Sequence, residues 1–145
     1  MRVLGIDVGA RRVGLAISDA TQTLARPLTT LAVNGRDDAV ARVLIEIDRL
    51  GDEEDGLGAI VVGLPAKLDG SPSDQTSHVA AFVKALAART SLPIMKIDER
   101  LTSREAESRL AHHERDWRRR KARLDAAAAA VILQDYLDRK DREGG

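Results

Sequence analysis

Acidic residues stand at the ends of hydrophobic segments, where a carboxylate can bind a metal ion or approach a phosphate. Asp7 ends the apolar stretch that opens the chain, and Gly9 follows closely and leaves room for a ligand. The alternative is a turn-forming aspartate that hydrogen-bonds its own backbone. Glu99 directly follows another apolar segment, beside Asp98. Adjacent strand residues point to opposite faces, so the simpler interpretation of this pair is two solvated acids.

Asp125 has the most informative surroundings of these acids. Ala128, Ala129 and Ile132 follow it at the spacings of one helix face and belong to an apolar stripe. A carboxylate on such a face needs a partner, because an unpaired buried charge is strongly destabilising. That partner is either an arginine or a metal ion shared with other acids.

A basic segment lies immediately before Asp125. It consists of Arg118, Arg119, Arg120 and Lys121. Guanidinium groups suit contacts with backbone phosphates that do not read base sequence, and Trp117 could stack on an exposed base. A solvated basic face is the alternative, but the position beside Asp125 favours phosphate binding. The start of the segment has neither a helical nor a strand pattern, so we expect a basic loop.

Composition excludes several classes of function. The 145 residues include no cysteine, which removes thiol catalysis, disulfides and cysteine-ligated zinc. Lysine plus arginine and aspartate plus glutamate both number 23, and a net charge of zero argues against general polyanion binding. One Phe, one Trp and one Tyr are too few for a row of base-stacking rings. Without a leader or an apolar run of roughly 20 residues, a cytoplasmic protein with no membrane partner is expected.

The acids favour one type of metal. Several carboxylates at one point repel each other strongly unless cations neutralise them. Oxygen ligands without histidine favour Mg²⁺ or Mn²⁺ over zinc. His112 and His113 lie near a polar helix end, and we expect a structural role for them rather than metal binding.

Hydrophobic periodicity predicts a single α/β domain over residues 1–145. The predicted strands are 2–8, 13–18, 28–33, 59–64 and 94–98. The predicted helices are 37–50, one that follows a Ser71 N-cap, one opened by the capping box of Thr102 and Glu105, and 122–142. The first three strands suit an antiparallel meander, and the later alternating units suit parallel additions to the same sheet.

Four blocks of sequence, in order over nearly the whole chain, carry a resemblance to a known family. They are LGIDVG at 4–9 with RVGLA at 12–16, IVVGLP at 60–65 with DG at 69–70, DERLT at 98–102, and 121–137 around Asp125. On these blocks the chain resembles the YqgF/RuvX family, Holliday junction resolvases that are also described as nucleases of precursor ribosomal RNA. The resemblance implies an RNase H-like fold, a five-stranded mixed sheet with three antiparallel strands and then two parallel ones, flanked by helices.

The resemblance also implies a catalytic site. Asp7, Glu99 and Asp125 become the catalytic, metal-binding acids, with Mg²⁺ or Mn²⁺ as cofactor, and this selects the functional interpretation of Glu99. Better-known resolvases of the superfamily carry an acid on the fourth strand, whereas here that strand ends in Gly-Leu-Pro at 63–65. Glu99 takes its place in this family, and Asp69 is an auxiliary candidate.

The implied activity is hydrolysis of nucleic-acid phosphodiesters by a structure-selective endonuclease. Arg11, Arg12 and Arg100 are candidate phosphate contacts, together with the basic segment. The expected partners are branched DNA, as in DNA recombination, and precursor 16S rRNA, whose 5′ end is processed in ribosome biogenesis. A symmetric junction cut favours a homodimer. The alternatives are a non-catalytic module that binds structured RNA or ribosomes, and a phosphotransferase of the actin-like or sugar-kinase type.

Overall fold

The computed structural model describes residues 1–65, 74–98 and 117–144, and within the last helix it describes the side chains of 125–140. The strands are β1 (Arg2–Val8), β2 (Arg12–Ser18), β3 (Ala25–Ala32), β4 (Leu57–Leu64) and β5 (Ile94–Asp98). The helices are α1 (Arg36–Gly51), α2 (Asp74–Ala87) and α3 (Trp117–Gly144). None of these helices is long and apolar enough to cross a membrane.

All five strands form one sheet in the order β3-β2-β1-β4-β5. β1 pairs antiparallel with β2, and β2 pairs antiparallel with β3, whereas β4 is parallel to both β1 and β5. This arrangement confirms the predicted mixed sheet of three antiparallel and then two parallel strands. β1 is therefore central, and its carboxyl end lies between the start of β2 and the end of β4.

The two faces of the sheet carry separate apolar cores, because successive strand side chains point to opposite sides. Leu4, Ile6 and Val8 of β1 face α1 and α2 and pack in a core that includes Phe82. Val3 faces the other way. The core on its side contains Val3, Ala16, Val61, Ile97, Ala129, Ile132, Leu133 and Leu137. A sheet covered on both faces explains why β1 and β4 read as nearly continuous hydrophobic runs.

β3 begins at Ala25, three residues before the predicted strand, and it includes Pro27. Proline cannot donate a ladder hydrogen bond, which made a strand here hard to predict. β3 lies at the edge of the sheet, where that missing donor is tolerated. The pairing with β2 is also irregular next to this proline, between Leu15 and Ala16.

The predicted basic loop is wrong. α3 begins at Trp117, so the backbone of Arg118, Arg119, Arg120 and Lys121 is helical. Arginine, lysine, alanine and leucine are good helix formers, so this segment favours a helix without an apolar stripe. The predicted helix at Thr102 and the Ser71 N-cap lie outside the residues that the structure describes.

Candidate active site

Asp7 is the penultimate residue of β1, and its position is fixed by pairing with β2. Its cross-strand neighbour is Gly14, and Thr30 of β3 pairs with Gly14 in turn. Directly opposite residues of antiparallel strands share a face, so Asp7, Gly14 and Thr30 form one row across three strands. Asp7 has the same parity as Val3, so the row faces α3. The Asp7 side chain is only partly buried and stays within reach of a ligand.

α3 makes its closest approach to the sheet at this row. A Cβ atom placed on Gly14 would lie 2.0 Å from the carbonyl oxygen of Asp125, 2.4 Å from its carbonyl carbon and 2.9 Å from the nitrogen of Ala126. The backbone of Asp125 therefore rests on the glycine that pairs with Asp7. Two of the predicted acids, far apart in sequence, meet at one end of the sheet.

The direction of α3 determines what else lies at this end. The helix passes Gly14 at Asp125, and further along it the Gln134 side chain accepts a hydrogen bond of 2.9 Å from the Ala25 amide. Ala25 pairs with Ser18, so α3 runs along β2 in the same direction as that strand. The basic segment precedes Asp125 by about one to two turns, roughly 6–10 Å, and extends beyond the row.

A tight turn between β1 and β2 holds two of the predicted phosphate contacts. The Gly9 amide donates to the carbonyl oxygen of Arg12 at 2.8 Å, and a Cβ on Gly9 would lie 2.7 Å from that same oxygen. The carbonyl of Arg11 accepts a bond of 3.0 Å from the Val33 amide. Arg11 is exposed, and Arg12 is partly buried on the α3 face. Arg11, Arg12 and the backbone of the basic segment therefore lie at the same end of the molecule.

Sequence reasoning missed several contributors to this end of the sheet. Gly14 was quoted only as part of a motif, and its role depends on a helix that is distant in sequence. Gln75, in the first turn of α2, donates a long hydrogen bond of 3.4 Å to the carbonyl of Val8. The hydroxyl of Thr76 donates to the carbonyl of Pro65. These contacts tie α2 to the carboxyl ends of β1 and β4, and polar residues in a first helical turn give no distinctive signal for them.

The predicted third acid is not among the described residues. Glu99 lies outside them, as do Arg100, Asp69, His112 and His113. Asp98 pairs with Leu64 and shares the parity of Ile94, which packs in the core beneath α1 and α2. Its side chain therefore points away from α3, as the alternation of Asp98 and Glu99 predicted.

Asp7 and Asp125 suit a hard divalent cation. Over residues 1–65, 74–98 and the described part of α3, no group of three histidine, cysteine or acidic side chains could hold a metal. Those residues bring Asp7 and the α3 turn that carries Asp125 to one end of the sheet, and a carboxylate offers oxygen as its ligand atom. Mg²⁺ and Mn²⁺ prefer such ligands and require few of them from the protein, since water fills the remaining positions.

Sequence comparisons match almost the whole chain. The family described as "RuvX: Holliday junction resolvase" matches residues 1–139. A protein of Roseiflexus sp. (strain RS-1), named as a pre-16S rRNA nuclease, is 41% identical over 137 residues, which cover 94% of both chains. A protein of the same name from Chloroflexus aggregans is 43% identical over 136 residues, covering 94% of this chain and 92% of its own.

Structural comparison identifies the fold. RuvC of T. thermophilus, solved with a Holliday junction substrate, superposes with a TM-score of 0.54 at 17% identity, covering 99% of this chain and 96% of its own. The fowlpox virus Holliday junction resolvase superposes with a TM-score of 0.52 at 15% identity, covering 96% of this chain and 99% of its own. At such low identity the likeness shows the fold alone, and it confirms the predicted RNase H-like architecture.

Proposed function

The chain belongs to the RuvX family, and we propose that it is a divalent-metal-dependent endonuclease that hydrolyses phosphodiesters of structured nucleic acid. The observation that carries the proposal is the meeting of Asp7 and Asp125 across Gly14, where the α3 backbone lies against the sheet. A divalent cation bound between two such acids would offset the repulsion of their charges. The nuclease names of full-length relatives support the same class of reaction.

The proposed catalytic groups are Asp7, Glu99 and Asp125. Asp7 and Asp125 hold the metal from the strand and from the helix. Glu99 lies outside the described residues, and its assignment as third ligand rests on the resemblance to the family. Bound Mg²⁺ or Mn²⁺ would supply Lewis acidity, which activates a water and offsets the charge that develops on the leaving oxygen.

The proposed nucleic-acid surface surrounds these acids. Arg11 and Arg12 lie at the β1–β2 turn, and the backbone of the basic segment extends from Asp125 past the same end of the sheet. Arginine binds backbone phosphate through charge-assisted hydrogen bonds that carry no base specificity. We assign Arg11, Arg12, Arg100 and the basic segment to phosphate contact, which orients the scissile bond above the acids.

The salt dependence of binding tests this surface. Replacing Arg118, Arg119 and Arg120 with glutamine reduces the slope of log K against log salt by about one unit per lost phosphate contact. Arg139 and Lys140, near the other end of α3, provide the control, because they pair there with Asp135 and Gln22. Equal effects of the two sets on the slope would remove the basic segment from the binding surface.

Four-way DNA junctions and precursor 16S rRNA are the two proposed substrates, following the descriptions of the family and of its relatives. Cleavage of both is measured in Mg²⁺ and in Mn²⁺ for wild type and Asp7→Asn. Asp98→Asn is the matched control, because this acid lies at the same end of the sheet but faces away from α3. We expect Asp7→Asn to lose cleavage and Asp98→Asn to retain it.

Each outcome of this experiment has a distinct meaning. Junction cutting that depends on Asp7 assigns a resolvase, for which a homodimer would supply the two sites of a symmetric cut. Asp7-dependent cutting of RNA alone assigns a ribosomal RNA processing nuclease. If wild type cuts neither substrate but binds structured RNA, the nuclease proposal fails and a non-catalytic binding module replaces it.

A further inference from the structure

We propose that Gly14 is a positioning residue, whose missing side chain sets the distance between the Asp7 and Asp125 carboxylates. This inference rests on the proposed metal-dependent function and names a residue that determines its metal selectivity. Gly14 lies between Asp7 and Thr30 in their cross-strand row, and the carbonyl of Asp125 occupies the space where its Cβ would stand. Gly14 therefore controls how closely α3 approaches β1.

The contacts at Gly14 leave a larger residue no room. The three atoms that a Cβ would meet are the carbonyl oxygen and carbon of Asp125 and the nitrogen of Ala126, all of them backbone atoms. A flexible side chain could turn aside, but a helix backbone moves only with its neighbours. The carbon–carbon distance of 2.4 Å must reach about 3.5 Å, so an alanine lifts this turn of α3 by about 1 Å.

The other close glycine on this face tolerates substitution better. A Cβ on Gly5 would lie 2.8 Å from the Cβ of Leu133 and 3.0 Å from the carbonyl oxygen of Ala129. By the same criterion the carbon–carbon contact with Leu133 needs a displacement of about 0.7 Å, which is smaller than at Gly14, and these contacts lie one to two turns beyond Asp125. α3 is therefore held most tightly at the turn that carries the carboxylate.

The displacement changes the geometry of the site and leaves its chemistry intact. Asp7 belongs to a central strand that is fixed on both sides, so lifting α3 moves Asp125 away from it. Mg²⁺ requires a nearly ideal octahedron of short bonds, whereas Ca²⁺ accepts longer and more variable ones. Gly14→Ala should therefore weaken Mg²⁺ binding much more than Ca²⁺ binding. A general loss of stability would weaken both ions alike.

The test is isothermal titration calorimetry of the full chain with Mg²⁺ and, separately, with Ca²⁺. Gly14→Ala should lower Mg²⁺ affinity about tenfold to a hundredfold, as misplacement by 1 Å does at other sites, with a smaller loss for Ca²⁺. Adding Asp125→Glu, whose side chain is one methylene longer, should restore at least part of the Mg²⁺ affinity. Phe82→Leu controls for stability, because Phe82 is fully buried on the opposite face of the sheet.

The outcomes separate this inference from the proposed function. Equal losses for the two ions, or no recovery with Asp125→Glu, would overturn the role of Gly14. Wild-type Mg²⁺ binding that persists in Asp7→Asn would instead refute the proposed site. If Gly14→Ala does not fold, Ala129→Val replaces it, because Ala129 is fully buried one turn further along α3. Its larger side chain lifts the same helix by a smaller step, and the same difference between the two ions is expected.

Discussion

The two ends of β1 carry charged side chains that the fold treats in opposite ways. At its start, the guanidinium of Arg2 donates to the carbonyls of Leu50 and Gly56, both at 3.1 Å, and to the Glu53 carboxylate at 2.8 Å. At its other end, Asp7 faces a turn of α3 that carries a second acid, Asp125. The first arrangement satisfies a charge with acceptors, and the second brings two like charges together.

The difference separates a stabilising arrangement from one that we propose to be functional. Arg2 is only 8% exposed, and its contacts offset the cost of burying a cation. The carbonyl of Leu50 belongs to the last turn of α1 and also accepts from the Glu53 amide at 3.2 Å, so Arg2 adds a second donor at this helix terminus. Two acids brought to one place repel each other, and this is typical of a site that binds a cation.

The largest expected effect comes from a substitution at the proposed site, near the carboxyl end of β1. Asp125→Asn should reduce metal-dependent cleavage by about 10³-fold, because the lost carboxylate supplies several kcal/mol of metal-mediated stabilisation of the transition state. The variant should stay folded, because asparagine matches aspartate in size and shape. Single-turnover cleavage and urea unfolding measure the two quantities. Full activity in this variant would contradict the site assignment.

The second prediction concerns the removal of the buried charge at the start of β1. Arg2→Met should lower the free energy of unfolding by about 2–3 kcal/mol, because two carbonyls and a carboxylate each lose a donor. Cleavage should remain near the wild-type rate at temperatures where the variant is folded. Urea denaturation measures the stability and a cleavage assay measures the activity. A variant that is fully stable but inactive would contradict the structural role assigned to Arg2.

A third prediction concerns a contact that anchors α3 to the sheet far from the site. The Gln134 amide donates to the carbonyl of Thr23 at 3.0 Å, and its oxygen accepts from the Ala25 amide. Gln134→Ala should cost about 1 kcal/mol of folding free energy. Mg²⁺ affinity should change little, since the packing of α3 against Gly14 positions Asp125 independently of Gln134. Calorimetry measures the Mg²⁺ affinity. A loss of affinity as large as that expected for Gly14→Ala would show that contacts along the whole helix, and not Gly14 alone, position Asp125.

The smallest expected effect is a pH dependence. The hydrogen bond from Arg2 lowers the pKa of Glu53, with the charges of Arg2 and Arg49 acting in the same direction. A lowered folded-state pKa adds stability above the unfolded value of about 4.3, and this stability is lost as pH falls through the folded value. Melting temperatures of wild type and Glu53→Gln should therefore differ at neutral pH and converge in acid. A difference that persists well below the folded pKa would rule out this ionisation as its source.

Most of the fold could be predicted because local patterns and burial agree. β1 and β5 have the predicted bounds, since both segments are too short for a typical helix and are bounded by Gly9 and Pro93, respectively. The errors fall where tertiary context decides, at the edge strand with Pro27 and at the start of α3. α3 begins earlier than predicted because its first residues are good helix formers, although they carry no apolar stripe.

The candidate site could be predicted in its residue types more than in its geometry. Asp7 and Asp125 stand out because an acid at a strand end or on an apolar helix face requires an explanation. The signal for Glu99 came from resemblance to a family, and its role stays a prediction. Gly14 gave no signal of its own, because a glycine in a strand has many explanations until the opposing backbone is known.

By itself, the sequence determined the elements, the two faces of β1 and the acids that needed partners. These properties depend on periods of two and 3.6 residues, which act over a few neighbours. Only the tertiary structure decided that Asp125 lies against Gly14, and therefore beside Asp7. That contact joins residues far apart along the chain, and its distance is set by the packing of a helix backbone against a sheet, which no local pattern encodes.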